Sequence, residues 1–223
     1  MTPAVPSPLA PLPARLAVLL SGRGSNFSAL AAACERGEIP ARIVLVLSDR
    51  EGAQGLERAG RMGIRVAAVP RKGFAGREAH EEAVLAELER EEPDLVCLAG
   101  YMRLLSASFV ARFPLRILNV HPALLPAFPG TEAQRQAVEY GVRVSGATVH
   151  FVDAGVDSGP IVGQEAVPVG EGDDAAALAE RILPVEHRLY VDSVRKVLAG
   201  GWRLEGRRVI FHGKNPSLVG LRS

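Results

Sequence analysis

The residues of this chain best suited to chemistry are Asn119 and His121, in the stretch Ile117-Leu118-Asn119-Val120-His121-Pro122. They stand two positions apart, so on an extended strand an amide donor and a titratable imidazole point to the same side. Apolar Ile117, Leu118 and Val120 read as a short buried strand, and Pro122 ends it because proline has no N–H for a ladder. The pair therefore lies at a strand's carboxyl end, where open α/β sheets place their ligands. A lone histidine there is more often a core residue satisfied by backbone. The paired amide, the proline stop and an acidic loop downstream favour a catalytic strand instead. That loop, Val152-Asp153-Ala154-Gly155-Val156-Asp157-Ser158-Gly159-Pro160, has two aspartates and two glycines, the composition of a tight surface turn.

Two further stretches could hold ligands. Ser21-Gly22-Arg23-Gly24-Ser25-Asn26 follows an apolar run and precedes a helical stretch from Phe27 to about Glu35. Its glycines let backbone approach a ligand, Ser25 or Asn26 is a natural N-cap, and the helix start offers unpaired N–H groups to a phosphate. The alternative is a plain strand-to-helix turn. A dinucleotide fingerprint is a partial match: Asp49 sits where a ribose-binding acid would, but Phe27 replaces the third glycine. A nicotinamide-dependent oxidoreductase is thus the competing enzyme class. The second stretch, Gly100-Tyr101-Met102-Arg103-Leu104-Leu105-Ser106, is an apolar loop at another strand end and suits a flat, partly aromatic ligand.

The elements that must position these groups alternate between types. Strands are expected at Leu16–Leu20, Ile43–Ser48, Val66–Val69 and Leu95–Ala99, the first and last as buried apolar runs. Helices are expected at Ala53–Met62, from Arg77 to Glu91 or Glu92, and from a Ser106 cap to Arg112. After the catalytic strand come a helix Ala133–Tyr140, strands Val144–Phe151 and Ile161–Val167, and a long helix Ala175–Leu198 kinked at Pro184. A small hairpin spans Leu204–Phe211. The pattern predicts an α/β fold: a Rossmann-like, doubly wound, mostly parallel sheet with helices on both faces and a mixed or antiparallel edge.

The 223 residues fit one large domain, with a proline-studded tail over 1–14 expected to be disordered, a main domain over 15–202, and a hairpin and tail over 203–223 packed on it. Lys+Arg 26 against Asp+Glu 25 leaves a net charge of +1, which offers nucleic acid or membrane no bulk attraction. The apolar run Leu16–Leu20 is far too short to span a bilayer. Cys34 and Cys97 have no metal-site spacing, so a reduced cytoplasmic setting is expected.

Taken together, these stretches resemble the folate-dependent glycinamide ribonucleotide formyltransferases of purine synthesis. The resemblance covers about Arg15 to Trp202. It rests on Ser21–Asn26, Ala99–Ser106, Leu118–Pro122 with Leu124-Leu125-Pro126, Thr148-Val149-His150-Phe151, and Asp157-Ser158-Gly159-Pro160. It implies a formyltransferase domain with Asn119, His121 and Asp157 as the catalytic trio. Gly24, Ser25 and Asn26 would hold the substrate phosphate, and Glu186 would help bind the glycinamide nucleotide. Arg77, Met102, Arg103, Leu104 and Leu105 would line the folate side, together with Asn119 and the loop Asp153, Ala154, Gly155, Val156 and Asp157. The co-substrate would be 10-formyltetrahydrofolate, without a metal, in a cytoplasmic monomer or homodimer. Ala123, Gln134 and Val191 depart from residues common in the family, and none belongs to the trio. Methionyl-tRNA formyltransferase shares the Asn-x-His-Pro strand but carries an RNA-binding domain for which this chain has no room. Formyltetrahydrofolate deformylase has an added amino-terminal domain and typically His where Pro122 stands. A non-catalytic binding protein of the same fold is the remaining alternative, and the intact trio speaks against it.

The implied chemistry is direct attack of an amine on the formyl carbon, with Asn119 and protonated His121 as donors to the developing oxyanion. Asp157 is expected to raise the His121 pKa as a nearby carboxylate, and His121 to protonate the departing folate nitrogen. His150 reads as structural or supporting, and His80, His187 and His212 as surface residues.

Overall fold

The computed structural model of the chain describes residues 13–211. The expectations for residues 1–12, for His212 and for the tail beyond it lie outside that range. In chain order the elements are β1 (Ala14–Leu20), α1 (Ser25–Glu35), β2 (Ala41–Ser48), α2 (Gln54–Arg61), β3 (Val66–Ala68), α3 (Arg77–Glu91), β4 (Leu95–Leu98) and α4 (Ala107–Arg112). There follow β5 (Ile117–His121), α5 (Ala133–Tyr140), β6 (Val144–Phe151), β7 (Ile161–Pro168), α6 (Ala175–Leu198), β8 (Trp202–Glu205) and β9 (Arg208–Phe211). Boundaries differ from the sequence reading by a residue or two, and the element types agree.

All nine strands join one sheet in the order β3-β2-β1-β4-β5-β6-β7-β9-β8. Strands β1 to β5 are mutually parallel, and β5–β6–β7 are antiparallel, which is the predicted mixed edge. The central parallel strands β1, β4 and β5 are covered on both faces because their apolar residues run consecutively, while the edge strand β3 is largely exposed. Along β1, Leu16, Val18 and Leu20 enter one core with α1 and α6, while Ala17 and Leu19 enter the other with α3 and α4. The chain lays β1, β2 and β3 in one direction, then crosses back to place β4 on the free side of β1. The crevice at the carboxyl ends of β1 and β4 is therefore the switch point where doubly wound sheets bind ligands.

Two local expectations are corrected. Helix α1 is capped not by Ser25 or Asn26 but by Gly24, in the left-handed region at φ 73°. A Cβ there would lie 2.8 Å from Gly55 Cα, so the close approach of the loop to α2 requires glycine. Helix α6 holds Pro184 in its interior, where the sequence reading placed it. That residue is exposed, so water can bond the carbonyl its missing N–H leaves free. His80 is not on the surface: it is buried, with Nε2 2.8 Å from the Val69 carbonyl and its ring edge-on to Phe74. His187 is half-buried, and burial lowers its pKa.

Candidate active site

Strand β5 carries Asn119 and His121 to the rim of the sheet, as period-two alternation requires. Its antiparallel partner β6 pairs Asn119 with His150 and His121 with Thr148. Thr148 is buried and fixes the chain beyond the strand: its hydroxyl donates to the Ala123 carbonyl at 2.6 Å and accepts the Leu125 N–H at 3.0 Å. The two loops that follow then close on the histidine. Phe128, at φ 53°, places its carbonyl 2.8 Å from His121 Nε2. Asp157, at φ 47°, places Oδ2 3.3 Å from His121 Nδ1. Left-handed backbone is uncommon outside glycine, and here it occurs at both residues that address the ring.

Asp157 gathers the rest of the cluster. Its Oδ2 accepts the Gly130 N–H at 2.7 Å, and its Oδ1 lies 3.4 Å from Asn119 Nδ2 and 3.5 Å from His150 Nε2. His150 Nδ1 faces the Phe151 carbonyl at 2.9 Å, and its Nε2 lies 3.2 Å from Asn119 Nδ2 as well as beside Asp157. Burial opposes ionisation of Asp157, but hydrogen bonds from His150 and Gly130 and the charge of His121 hold the carboxyl below its usual range. For His121 the balance goes the other way. Burial pushes the imidazole below its ordinary value, and the Asp157 carboxylate and Phe128 carbonyl offset this only in part. The Asp157 carboxylate acts on His121 in the expected, raising direction, but burial of a ring only 5% exposed outweighs it.

The loop expected from the sequence to meet a phosphate lies at the start of α1. The Ser25, Asn26 and Phe27 amides precede the first intrahelical bond, Ser28 N–H to Gly24 O at 2.9 Å. Asn26 turns inward and donates from Nδ2 to Glu186 Oε2 of α6 at 2.8 Å. Burial raises the Glu186 pKa, against the hydrogen bond from Asn26. The loop after β4 lies beside this one: Ser21 N–H donates to Gly100 O at 3.0 Å, and Met102 N–H to Ser21 Oγ at 2.8 Å. Met102 and Leu104 are each 62% exposed, while Leu105 is buried. Arg103 Nε donates to the buried Asp49 at 2.7 Å. Arg77 Nη2 reaches the Leu104 carbonyl at 2.9 Å. Together with Arg71, Tyr101 and Phe109 these residues line a cleft of about 290 Å³.

In the third loop, Asp153 accepts from Gly155 N–H and Ser158 Oγ, so it braces its own turn, and Ala154, Gly155 and Val156 are exposed. Among the described residues no hydrogen bond joins the Asn119–His121–Asp157 cluster to Gly24–Asn26 or to the 102–105 loop. The three groups share one end of the sheet. A larger cleft, about 930 Å³, opens at the opposite end, where the charges pair off as Arg15–Glu91 and Arg112–Glu89. The cysteines are unsuited to nucleophilic work: burial pushes Cys34 to about 11 and Cys97 to about 12. Sequence reasoning missed the Phe128 carbonyl and the Gly130 amide, because backbone groups carry no side-chain signature. The Phe128-Pro129-Gly130 turn was the available hint.

The Formyl transferase family profile matches residues 14–194. The chain is 48% identical over 195 residues to the phosphoribosylglycinamide formyltransferase of Mycobacterium tuberculosis, covering 87% of this chain and 90% of that protein. It is 42% identical over 194 residues to the bovine trifunctional purine biosynthetic protein adenosine-3, of which it spans only 19%. Its fold is similar to the crystal structure of glycinamide ribonucleotide transformylase 1 from Symbiobacterium toebii, with TM-score 0.87, 51% identity, and coverage of 89% of this chain and 93% of that one. A formyltetrahydrofolate deformylase from Pseudomonas syringae shares the fold at TM-score 0.83 with 24% identity.

Proposed function

The chain belongs to the formyl transferase family, and on that footing we propose that it moves a formyl group from 10-formyltetrahydrofolate to the amine of glycinamide ribonucleotide. The products are formylglycinamide ribonucleotide and tetrahydrofolate, a step of purine biosynthesis. The observation that carries this reading is the hydrogen-bonded cluster of Asn119, His121 and Asp157 at the end of β5, in a chain that covers 90% of a single-function relative. Formyl-folate and the nucleotide are both small molecules. No helix among the described residues is long and apolar enough to cross a membrane.

In this reading the amine attacks the formyl carbon, and the carbonyl electrons move onto the formyl oxygen. Asn119 Nδ2 meets the oxyanion. Its resting contacts of 3.2 and 3.4 Å are long, so one N–H can be given up for a charge-assisted bond. His121 Nε2 is committed to the Phe128 carbonyl, which leaves Nδ1, beside Asp157, as the nitrogen that serves the substrate. The oxyanion is a second negative charge beside the imidazole, and it favours the imidazolium as Asp157 does. Collapse breaks the bond between the formyl carbon and the folate nitrogen. That nitrogen takes a proton from His121, directly or through water, and His121 regains one from the former amine. The α1 amides and Asn26 receive the nucleotide phosphate, Glu186 its glycinamide portion, and the 102–105 loop with Arg77 the folate.

The test is a transfer assay on purified protein with both substrates, following tetrahydrofolate. Product should form only when the nucleotide is present. Equal product without the nucleotide would make the reaction a deformylation and overturn the assignment.

A further inference from the structure

Glu81 belongs to a run of charges on α3 that resembles an ordinary solvated face, yet it is buried at 6% exposure. Its carboxylate is fully occupied. Oε1 accepts Arg77 Nε at 2.9 Å and Ser106 N–H at 2.9 Å, and Oε2 accepts the Ser106 hydroxyl. Ser106 is the N-cap of α4, accepting the Phe109 N–H at 3.1 Å, and it ends the loop 102–105. Arg77 in turn holds the Leu104 carbonyl of the same loop. One carboxylate thus ties the far end of the loop and the guanidinium that grips its middle, while Ser21 ties the near end at Met102.

We propose that Glu81 is a positioning residue for the folate: it sets the shape of the 102–105 loop and the direction of Arg77, and so governs affinity for the folate but not for the nucleotide. The proposal rests on the assignment of that loop to the folate. Met102 and Leu104 can stay exposed without a supporting core because the loop's backbone is held at Met102, Leu104 and Ser106. Gln at position 81 keeps the volume and can accept one bond, but it loses the charge that orients Arg77 and one acceptor for Ser106. Hydrogen bonds to charged groups are the stronger kind, and losing one costs about tenfold or more in binding.

The experiment compares wild type, Glu81→Gln and Ser106→Ala by steady-state kinetics and by calorimetric titration with tetrahydrofolate. In Glu81→Gln the KM for the formyl-folate and the Kd for tetrahydrofolate should each rise about tenfold, with the nucleotide KM and kcat at saturating folate held within about twofold. Ser106→Ala should shift the same two quantities in the same direction, and it carries the test alone if Glu81→Gln does not fold. Unchanged folate constants in the folded variants, or a nucleotide KM that rises in step with the folate KM, would overturn the proposal. A wild-type protein that binds tetrahydrofolate but transfers no formyl group would instead defeat the functional reading, leaving the titration to decide the role of Glu81.

Discussion

His121 has an acceptor on each ring nitrogen, the Phe128 carbonyl and the Asp157 carboxylate, so only the imidazolium satisfies both. Burial works against that form. The site therefore sets two acceptors against burial at this ring, and negative charge developing on the substrate adds to the side that favours the proton. If transfer needs that proton, the rate falls as pH rises through the His121 pKa. Asp157→Asn removes the main interaction that raises this pKa, so the basic limb of the profile should move to lower pH. A rate–pH profile of both proteins, with NMR titration of His121, checks this. A uniform rate loss with an unmoved His121 pKa would reduce Asp157 to a loop brace. Asp157 itself has a lowered pKa in the fold, so its contribution to stability is present above the unfolded value of about 3.9 and is lost as pH falls through the folded one. The stability gap between wild type and Asp157→Asn should accordingly shrink in urea melts below about pH 4. The types and spacing of Asn119 and His121 were legible in the sequence. The net direction of the His121 pKa was not, because it depends on burial by chain segments remote from the motif.

At the scale of elements, the loop between β6 and β7 delivers Asp157, and its path leaves no room. A Cβ on Gly159 would lie 1.7 Å from the Phe151 carbonyl, where Phe151 N–H meets the Pro160 carbonyl at 2.9 Å. Gly159→Ala should therefore destabilise the protein by at least about 1–3 kcal/mol, the range for overpacking, and displace Asp157. Urea unfolding and turnover measure the two effects. An unchanged midpoint with full activity would show the loop free to move. Element types were legible because apolar runs and charged helical stretches differ in period. The Ser106 cap of α4 was legible too, but the cap of α1 was not: Gly24 takes it because α2 packs against it, and Asn26 is drawn to Glu186, 160 residues away. His80 was misread for the same reason, and Glu81 drew no notice. Nothing local distinguishes them from the solvated charges beside them, and the partners that bury them come from Val69 and Ser106.

For the whole molecule, sheet order puts the loops after β1, β4 and β5 at one rim, and the β6–β7 loop reaches His121 there with Asp157. The first is built of backbone amides and suits a phosphate, while the second is an apolar strap. Inorganic phosphate should therefore compete with the nucleotide and leave the folate KM unchanged; competition against the folate alone would contradict the division of the crevice. The doubly wound order was foreseeable from alternating strands and helices, and so was the antiparallel edge. That β9 would add to β7 in parallel, through Ile161 and Arg208, had no local signal. Asn119 and His121 are the residues proposed to carry the formyl group to the nucleotide. The most direct measurement supplies 10-formyltetrahydrofolate labelled with ¹³C at the formyl carbon and follows that carbon by NMR in wild type, Asn119→Ala and His121→Ala. The label should move to the glycinamide nitrogen in wild type and do so at least about 10²-fold more slowly in each variant, the loss expected for an oxyanion donor. Label transferred at near wild-type rate in either folded variant, or released as formate by wild type in the presence of the nucleotide, would contradict that proposal.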